Sequence, residues 1–532
     1  MVNRTVALAA LLAAAPALAT AQNTLPRPIE VQQLRELDAW SVSALARADG
    51  ALAPNLWANS DPAFLAALFD RLPAAYESPA SLALARRVLF SGGDAPRGDA
   101  TDAARKRFEA LGRMGAADEL ATMAAGSNAS LSDPQIAQYA AQAELARGRR
   151  AEACARGRGA NFGDRPPPFL LRLRAYCAAV TGDRAAADLA LELARSSGAE
   201  DSWVTGAVAA AGGAPGARPP AARYDISLNT QLSLAGGLRP GPNPLNGAST
   251  LSLVALARAD AAPQPLRAQA AALAFRRGVI RASEARAILR ATPAEITSAL
   301  PPIALAMRQV EAAPGSMEAA TAIATALRQA TTSADFTAAA RFFQSDIAAL
   351  QTAPDQAAAL VYARAALING DADVAQRLLA SARQAGVDEA ALAPLDAAFA
   401  ALTNARGEDA AVAVRRRFDR GAAQPRAAAR DVVILSALGA PLDSGAQTFL
   451  LASPPQGGAR ADIGVMVALA SAVERSATGE AALLAVLAAG EGGPARLEAD
   501  SVFRIIRSLR AIGLESEARA VAVEALLAGP PS

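Results

Sequence analysis

A chain of 532 residues is long enough for two domains or one extended array, and its 52 basic and 50 acidic side chains leave a formal charge of only +2. The two signs are mixed along the chain, so no strongly basic face for nucleic acid is expected. Histidine is absent, which excludes Ser-His-Asp triads, Cys-His pairs and H-E-x-x-H zinc helices, together with the side chain that ordinarily changes charge near neutral pH.

Apolar residues make up 52% of the chain and aromatic residues only 4%. Alanine supplies most of the apolar share. It is the best helix former, and a core of Ala, Leu and Val is thin, so helices must approach closely. Runs with period two, which would mark strands, are nearly absent. The fold class expected is all-α: stacked antiparallel helical hairpins in a TPR-like α-solenoid of two arrays.

In chain order, Met1–Arg4 is a short basic start, followed by an apolar stretch to Pro16 and small-x-small patterns ending at Ala19 and Ala21. This reads as a secretory signal peptide over residues 1–21, cleaved near Ala21, and without a cysteine there the product is no lipoprotein. No later stretch reaches the ~18 uninterrupted apolar residues of a spanning helix. The expectation is a soluble periplasmic protein, with secretion as the alternative.

Residues 22–211 form the first expected array. Gln32–Arg47 reads as an amphipathic helix, and Ala80–Phe90 as another behind a Ser-Pro start. Glu77-Ser78 invites comparison with soluble lytic transglycosylases, whose Glu-Ser pair precedes a G-L-M-Q-like segment, but no such segment follows here or after Glu515-Ser516. Arg105-Lys106-Arg107 contains the only lysine and reads as a solvated helix face.

A Gly-x4-Ala step recurs at Gly112/Ala117, Gly148/Ala153 and Gly182/Ala187, with glycines 36 and 34 residues apart, and again at Gly370/Ala375 and Gly513/Ala518. Glycine can end one helix in the left-handed conformation, and a small residue one turn into the next lets the hairpin close. Ala175, Ala194, Ala363, Ala382 and Ala525 fall where further close approaches are expected. The segments around Gly182 and Gly370 resemble tetratricopeptide repeats, whose period is about 34 residues, without their large aromatic positions.

Cys154 and Cys177 are the only cysteines. In an exported chain they read as a disulfide. The repeat register puts them at the same height on neighbouring antiparallel helices, and closing the loop is worth about 3 kcal/mol. Free thiols or a redox pair are the alternatives.

Residues 212–250, with Gly-Gly, Pro-Pro and a Pro-Gly-Pro-Asn-Pro run, read as a hinge holding one short helix near Asp225–Ala235. Residues 251–532 form the second array. Its expected helices are Asp335–Gln351, Ala357–Asn369, Asp371–Gly386, Ala397–Ala405, Val465–Ser476 and Ser501–Leu527, the last broken at Gly513. Asp443-Ser444-Gly445, superficially like a protease nucleophile motif, reads as a loop.

Two arginine groups, Arg147, Arg149 and Arg150 near Cys154 and Arg415, Arg416 and Arg417 on a late helix, are candidate contacts for an acidic partner or an anionic envelope surface. The alternative is solvated faces paired with local Asp and Glu.

The Cys154 region, Arg172-Leu-Arg-Ala-Tyr-Cys177 with Gly182-Asp183, and Pro265-Leu-Arg-Ala-Gln269 together resemble a loose group of Ala-rich exported helical-repeat proteins of alphaproteobacteria. The resemblance implies export and helical repeats, and no activity. The function expected is protein–protein interaction, as a scaffold or accessory factor of a cell-envelope assembly, with no cofactor and no metal. A carboxylate-only cell-wall glycan enzyme is the runner-up, and a glycan- or solute-binding module is the third reading. Without histidine, a partner surface indifferent to pH between about 5.5 and 7.5 is expected.

Overall fold

The structure, a computed structural model, describes residues 38–128, 133–159, 166–216, 218–293, 301–455 and 457–528. The expected leader lies outside them. Within them the fold is all-α, built of short helices, and the only β-type pairing is an isolated bridge between Ala459 and Leu497. No described helix is long and apolar enough to cross a membrane.

Local chemistry sets most helix ends. Asp61, Asp133, Asp183, Asp201, Asp355, Asp371 and Asp443 each accept a backbone N–H in the first turn of the helix that follows, satisfying donors that have no partner in the helix. Asp443-Ser444-Gly445 is therefore a helix start and not a loop: Asp443 caps Ser444–Ala452. Four of the five glycines of the Gly-x4-Ala steps stand in the left-handed region, with φ of 73° at Gly148, 80° at Gly182, 76° at Gly370 and 79° at Gly513. Gly112 is the exception. It lies inside Thr101–Met114, where a Cβ would meet the Tyr139 ring at 2.8 Å, and Gly115 ends that helix instead. The alanines expected at close approaches, among them Ala153, Ala175, Ala363, Ala375 and Ala518, are fully buried.

Consecutive helices pair as expected at Pro134–Ala146 with Arg150–Gly159, Pro168–Val180 with Arg184–Ser196, Gln356–Asn369 with Ala372–Gln384, and Ala499–Ala511 with Glu515–Leu526. Two late boundaries differ from expectation. Asp335–Gln351 is two helices, Ser333–Phe342 and Gln344–Ala349, broken at Phe343. The helix expected from Ala397 begins at Glu389 and runs to Leu402 with Pro394 inside it; Asp388 caps it, six residues ahead of the proline.

The amphipathic pattern of Gln32–Arg47 is not helical over 38–46. Asp38 Oδ1 accepts the amides of Trp40 and Ser41 at 2.9 and 2.7 Å, forming a side-chain turn that competes with a helix. Trp40 then packs edge-on against Trp57 with ring centroids 5.6 Å apart, and Trp57 against Phe69 at 5.6 Å. Arg107, expected on a solvated face, is 0% exposed beneath this cluster. Its guanidinium donates to the carbonyls of Leu89, Ala39, Trp40 and Ser91 at 2.7–3.3 Å and lies 5.9 Å from both indole rings. The fork of N–H donors ties three chain segments together. Lys106, next to it, faces outward and pairs with Asp70 at 2.9 Å and Glu109 at 3.2 Å.

The segment 212–250 holds the helix Ser227–Ala235. The helix after it, Thr250–Arg258, packs on Thr101–Met114 and Pro134–Ala146. One apolar cluster includes residues from both sides of the segment, from Trp40 to Leu527, and a second, smaller one is centred on Pro168–Val180 and Ser202–Ala211. The first described helices also meet the last: Pro79–Phe90 packs on Thr478–Ala489 and Glu515–Leu526.

Candidate functional site

The meeting of Pro79–Phe90 with Glu515–Leu526 creates the site. Ser78 caps the first of these helices through Ser81 N at 3.0 Å. Its hydroxyl and the Ala80 amide both donate to Glu524 Oε2 at 2.9 Å. One carboxylate from the last helix thus sits on the positive end of an early one. Gly493 makes room for it: φ is +68°, and a Cβ there would meet Ser78 Cβ at 2.4 Å and Glu524 Oε1 at 2.7 Å. A second polar tie joins Arg87 to Glu517, with Arg87 Nε also donating to Gly50 O at 2.7 Å.

Beside this junction lies a cleft of about 250 Å³, walled also by Ser333–Phe342 and Gln356–Asn369. Ala80, Ala83, Phe336, Leu367, Ile368 and Val523 form its apolar surface. Its charged groups are Arg341, Arg364, Arg519 and Glu524. Arg364 donates to Leu527 O at 2.5 Å and stacks 5.2 Å from the Phe336 ring centroid. Arg519 reaches Asn404 at 3.3 Å when that carboxamide is turned to satisfy both its atoms. Arg341 makes no hydrogen bond or ion pair among the described residues; the surrounding protein pulls its pKa down, against the opposing charge of Glu524. Burial pushes Glu524 up to about 7, against the opposing pull of Ala80 N, Ser78 Oγ and the Arg341 charge. Burial likewise pulls Arg364 down to about 10. No second carboxylate lines the cleft among the described residues. Arg364 and Leu527 also border a more polar cleft of about 500 Å³ that contains Arg417 and Arg420.

The residues singled out in the sequence fall elsewhere. Cys154 and Cys177 stand at disulfide distance on neighbouring helices, with Cα atoms 5.9 Å apart. Arg147 is half-buried between Asp118 at 2.9 Å and Glu144 at 3.0 Å. Arg149 and Arg150 are exposed and carry no ion pair among the described residues. Arg415 pairs with Glu408 and, at 3.7 Å, with Asp443, while Arg416 is exposed. Arg417 is not a surface residue: it is 4% exposed and its Nε meets Asp431 Oδ2 at 2.7 Å. Gly407–Asp419 packs on Pro425–Ala437, which turns this arginine inward while its two neighbours face out. Glu77 pairs with Arg276 at 3.6 Å and Glu515 with Arg510 at 3.1 Å, both outside the cleft.

Nothing in the sequence pointed to Glu524. It is one of four glutamates or arginines in the unremarkable run Glu515–Leu526, and its hydrogen-bond donors, Ser78 and the Ala80 amide, lie more than 400 positions away. No protein-family model, no curated protein and no solved structure matches the chain.

Proposed function

We propose that the protein is an exported helical scaffold or accessory factor of a cell-envelope assembly, which works by holding protein partners and not by chemistry. The observation that carries this is the helix Ile463–Glu474. It is apolar around nearly its whole circumference, yet only Val465, Leu469 and Ala472 are buried, while Ile463 is 74% and Val467 63% exposed. A helix apolar all round belongs in a core, so a solvated apolar row on one is a face built for a partner. Leu189 and Leu193 make a second exposed pair one turn apart on Arg184–Ser196. The cysteine pair at disulfide distance fits an oxidising compartment such as the periplasm. Exposed Arg149, Arg150 and Arg416 suit an anionic envelope surface. TPR-like hairpins, and the likeness to Ala-rich exported proteins of alphaproteobacteria, belong to the same reading.

A photo-crosslinking residue placed at Val467 in intact cells tests it, with the exposed polar position Gln447 as control. One reproducible crosslinked partner from Val467 and none from Gln447 is expected. No crosslink at Val467, or release of muropeptides by the purified protein that is lost in Glu77→Gln, overturns it.

A further inference from the structure

The cleft beside Glu524 combines features that a structural seam does not require. Apolar walls account for most of its surface, yet three arginines open onto it against one carboxylate. Two of the three are occupied, Arg364 by the Leu527 carbonyl and the Phe336 ring and Arg519 by Asn404. Arg341 remains solvent-accessible and makes no hydrogen bond or ion pair among the described residues. Its exposed guanidinium keeps its donors free at the mouth of an apolar cleft, where an anion can accept charge-assisted hydrogen bonds from it.

The space limits what such an anion can be. The volume of about 250 Å³ lies below the ~300–1,000 Å³ of a typical drug-sized pocket. A bare inorganic anion would leave the walls of Ala83, Leu367 and Val523 wet, and an uncharged chain would leave Arg341 unpaired. We propose that this cleft is a binding site for a short amphiphilic monocarboxylate of about eight carbons in all, its carboxylate on the Arg341 guanidinium and its alkyl tail against Ala83, Phe336, Leu367 and Val523. Arg364, already fixed on Phe336, adds positive potential to the cleft. Helices from the beginning, middle and end of the described chain wall the cleft, so a ligand there also bridges them. The inference is independent of the scaffold reading, which concerns the Ile463–Val467 row.

Isothermal titration of octanoate into the purified full chain tests it, with octanol, acetate and inorganic phosphate as separate arms. Saturable octanoate binding is expected, at least tenfold tighter than octanol, with acetate and phosphate undetectable. Arg341→Gln should weaken octanoate at least tenfold and leave octanol unchanged; because Arg341 makes no structural bond, this variant should melt like the parent. Ala83→Phe should abolish binding of both by filling the cleft, checked against the parent's circular dichroism. No saturable octanoate signal, equal affinity for octanol and octanoate, phosphate binding as tight as octanoate, or full octanoate affinity in Arg341→Gln each overturns the proposal.

Discussion

Ser78 and Glu524 are separated by 446 residues, and the hydroxyl of the first donates to the carboxylate of the second at 2.9 Å. Ser78 also holds the first turn of its own helix through Ser81 N. Ser78→Ala therefore removes a helix cap and a donor to a buried carboxylate at once. It should lower stability by about 1–2 kcal/mol, read from the urea midpoint. An unchanged midpoint would mean that this junction contributes nothing.

The same junction depends on Gly493, whose positive φ and close approach to Ser78 and Glu524 leave no room for a methyl group. Gly493→Ala should cost about 2 kcal/mol or more. Gly241→Ala, where nothing lies within 4 Å of the added carbon and φ is not positive, is the matched control and should cost little.

Burial supplies the near-neutral titration that the missing histidines do not. It raises Glu524 from 4.5 to about 7, and it raises Asp431 from 3.8 to about 6 against the pull of Arg417. Between those limits the folded chain holds protons that the unfolded chain has released, so unfolding free energy falls as pH rises. The carboxylates held low by partners, such as Asp118 beside Arg258 and Arg147, lose their contribution only below their ordinary range, outside this window. The urea midpoint should be higher at pH 5 than at pH 7.5, and Glu524→Gln should shrink the difference. Equal midpoints for the parent at both pH values would contradict the assignment.

Arg107 should be intolerant of change. Arg107→Met keeps the bulk but strips donors from the carbonyls of Leu89, Ala39, Trp40 and Ser91, at a cost of about 3 kcal/mol. Arg107→Lys should recover only part of this, because an ammonium cannot reproduce the fork. Thermal melts of the two variants against the parent decide it.

For the cysteine pair, thiol labelling of non-reduced protein should find no free cysteine. Reduction should lower stability by about 3 kcal/mol for a bridge spanning 23 positions. Full labelling without reductant excludes the bridge.

Helix identity and most helix ends were legible in the sequence because they are local. Asp or Ser caps act within three residues, and glycines such as Gly182 and Gly370 need only their own φ. The pairing of Cys154 with Cys177 was legible because the chain holds only two cysteines, on helices adjacent in sequence that pack side by side. Where local signals conflicted, the reading failed, as at Asp38–Trp40, where an apolar pattern of helical spacing lost to a side-chain turn.

By itself, the sequence determined an all-α chain of alanine-packed hairpins, since propensity, capping and apolar period all operate within a few residues. Only the tertiary structure decided which charged groups are special. An arginine in a run such as Arg105-Lys106-Arg107 or Arg415-Arg416-Arg417 is long enough to be solvated or buried, and what packs over it settles which. Arg107 and Arg417 went inside, and Glu524 acquired its environment from Ser78 and Gly493. Burial depends on contacts between residues far apart in the chain, and no local pattern encodes it.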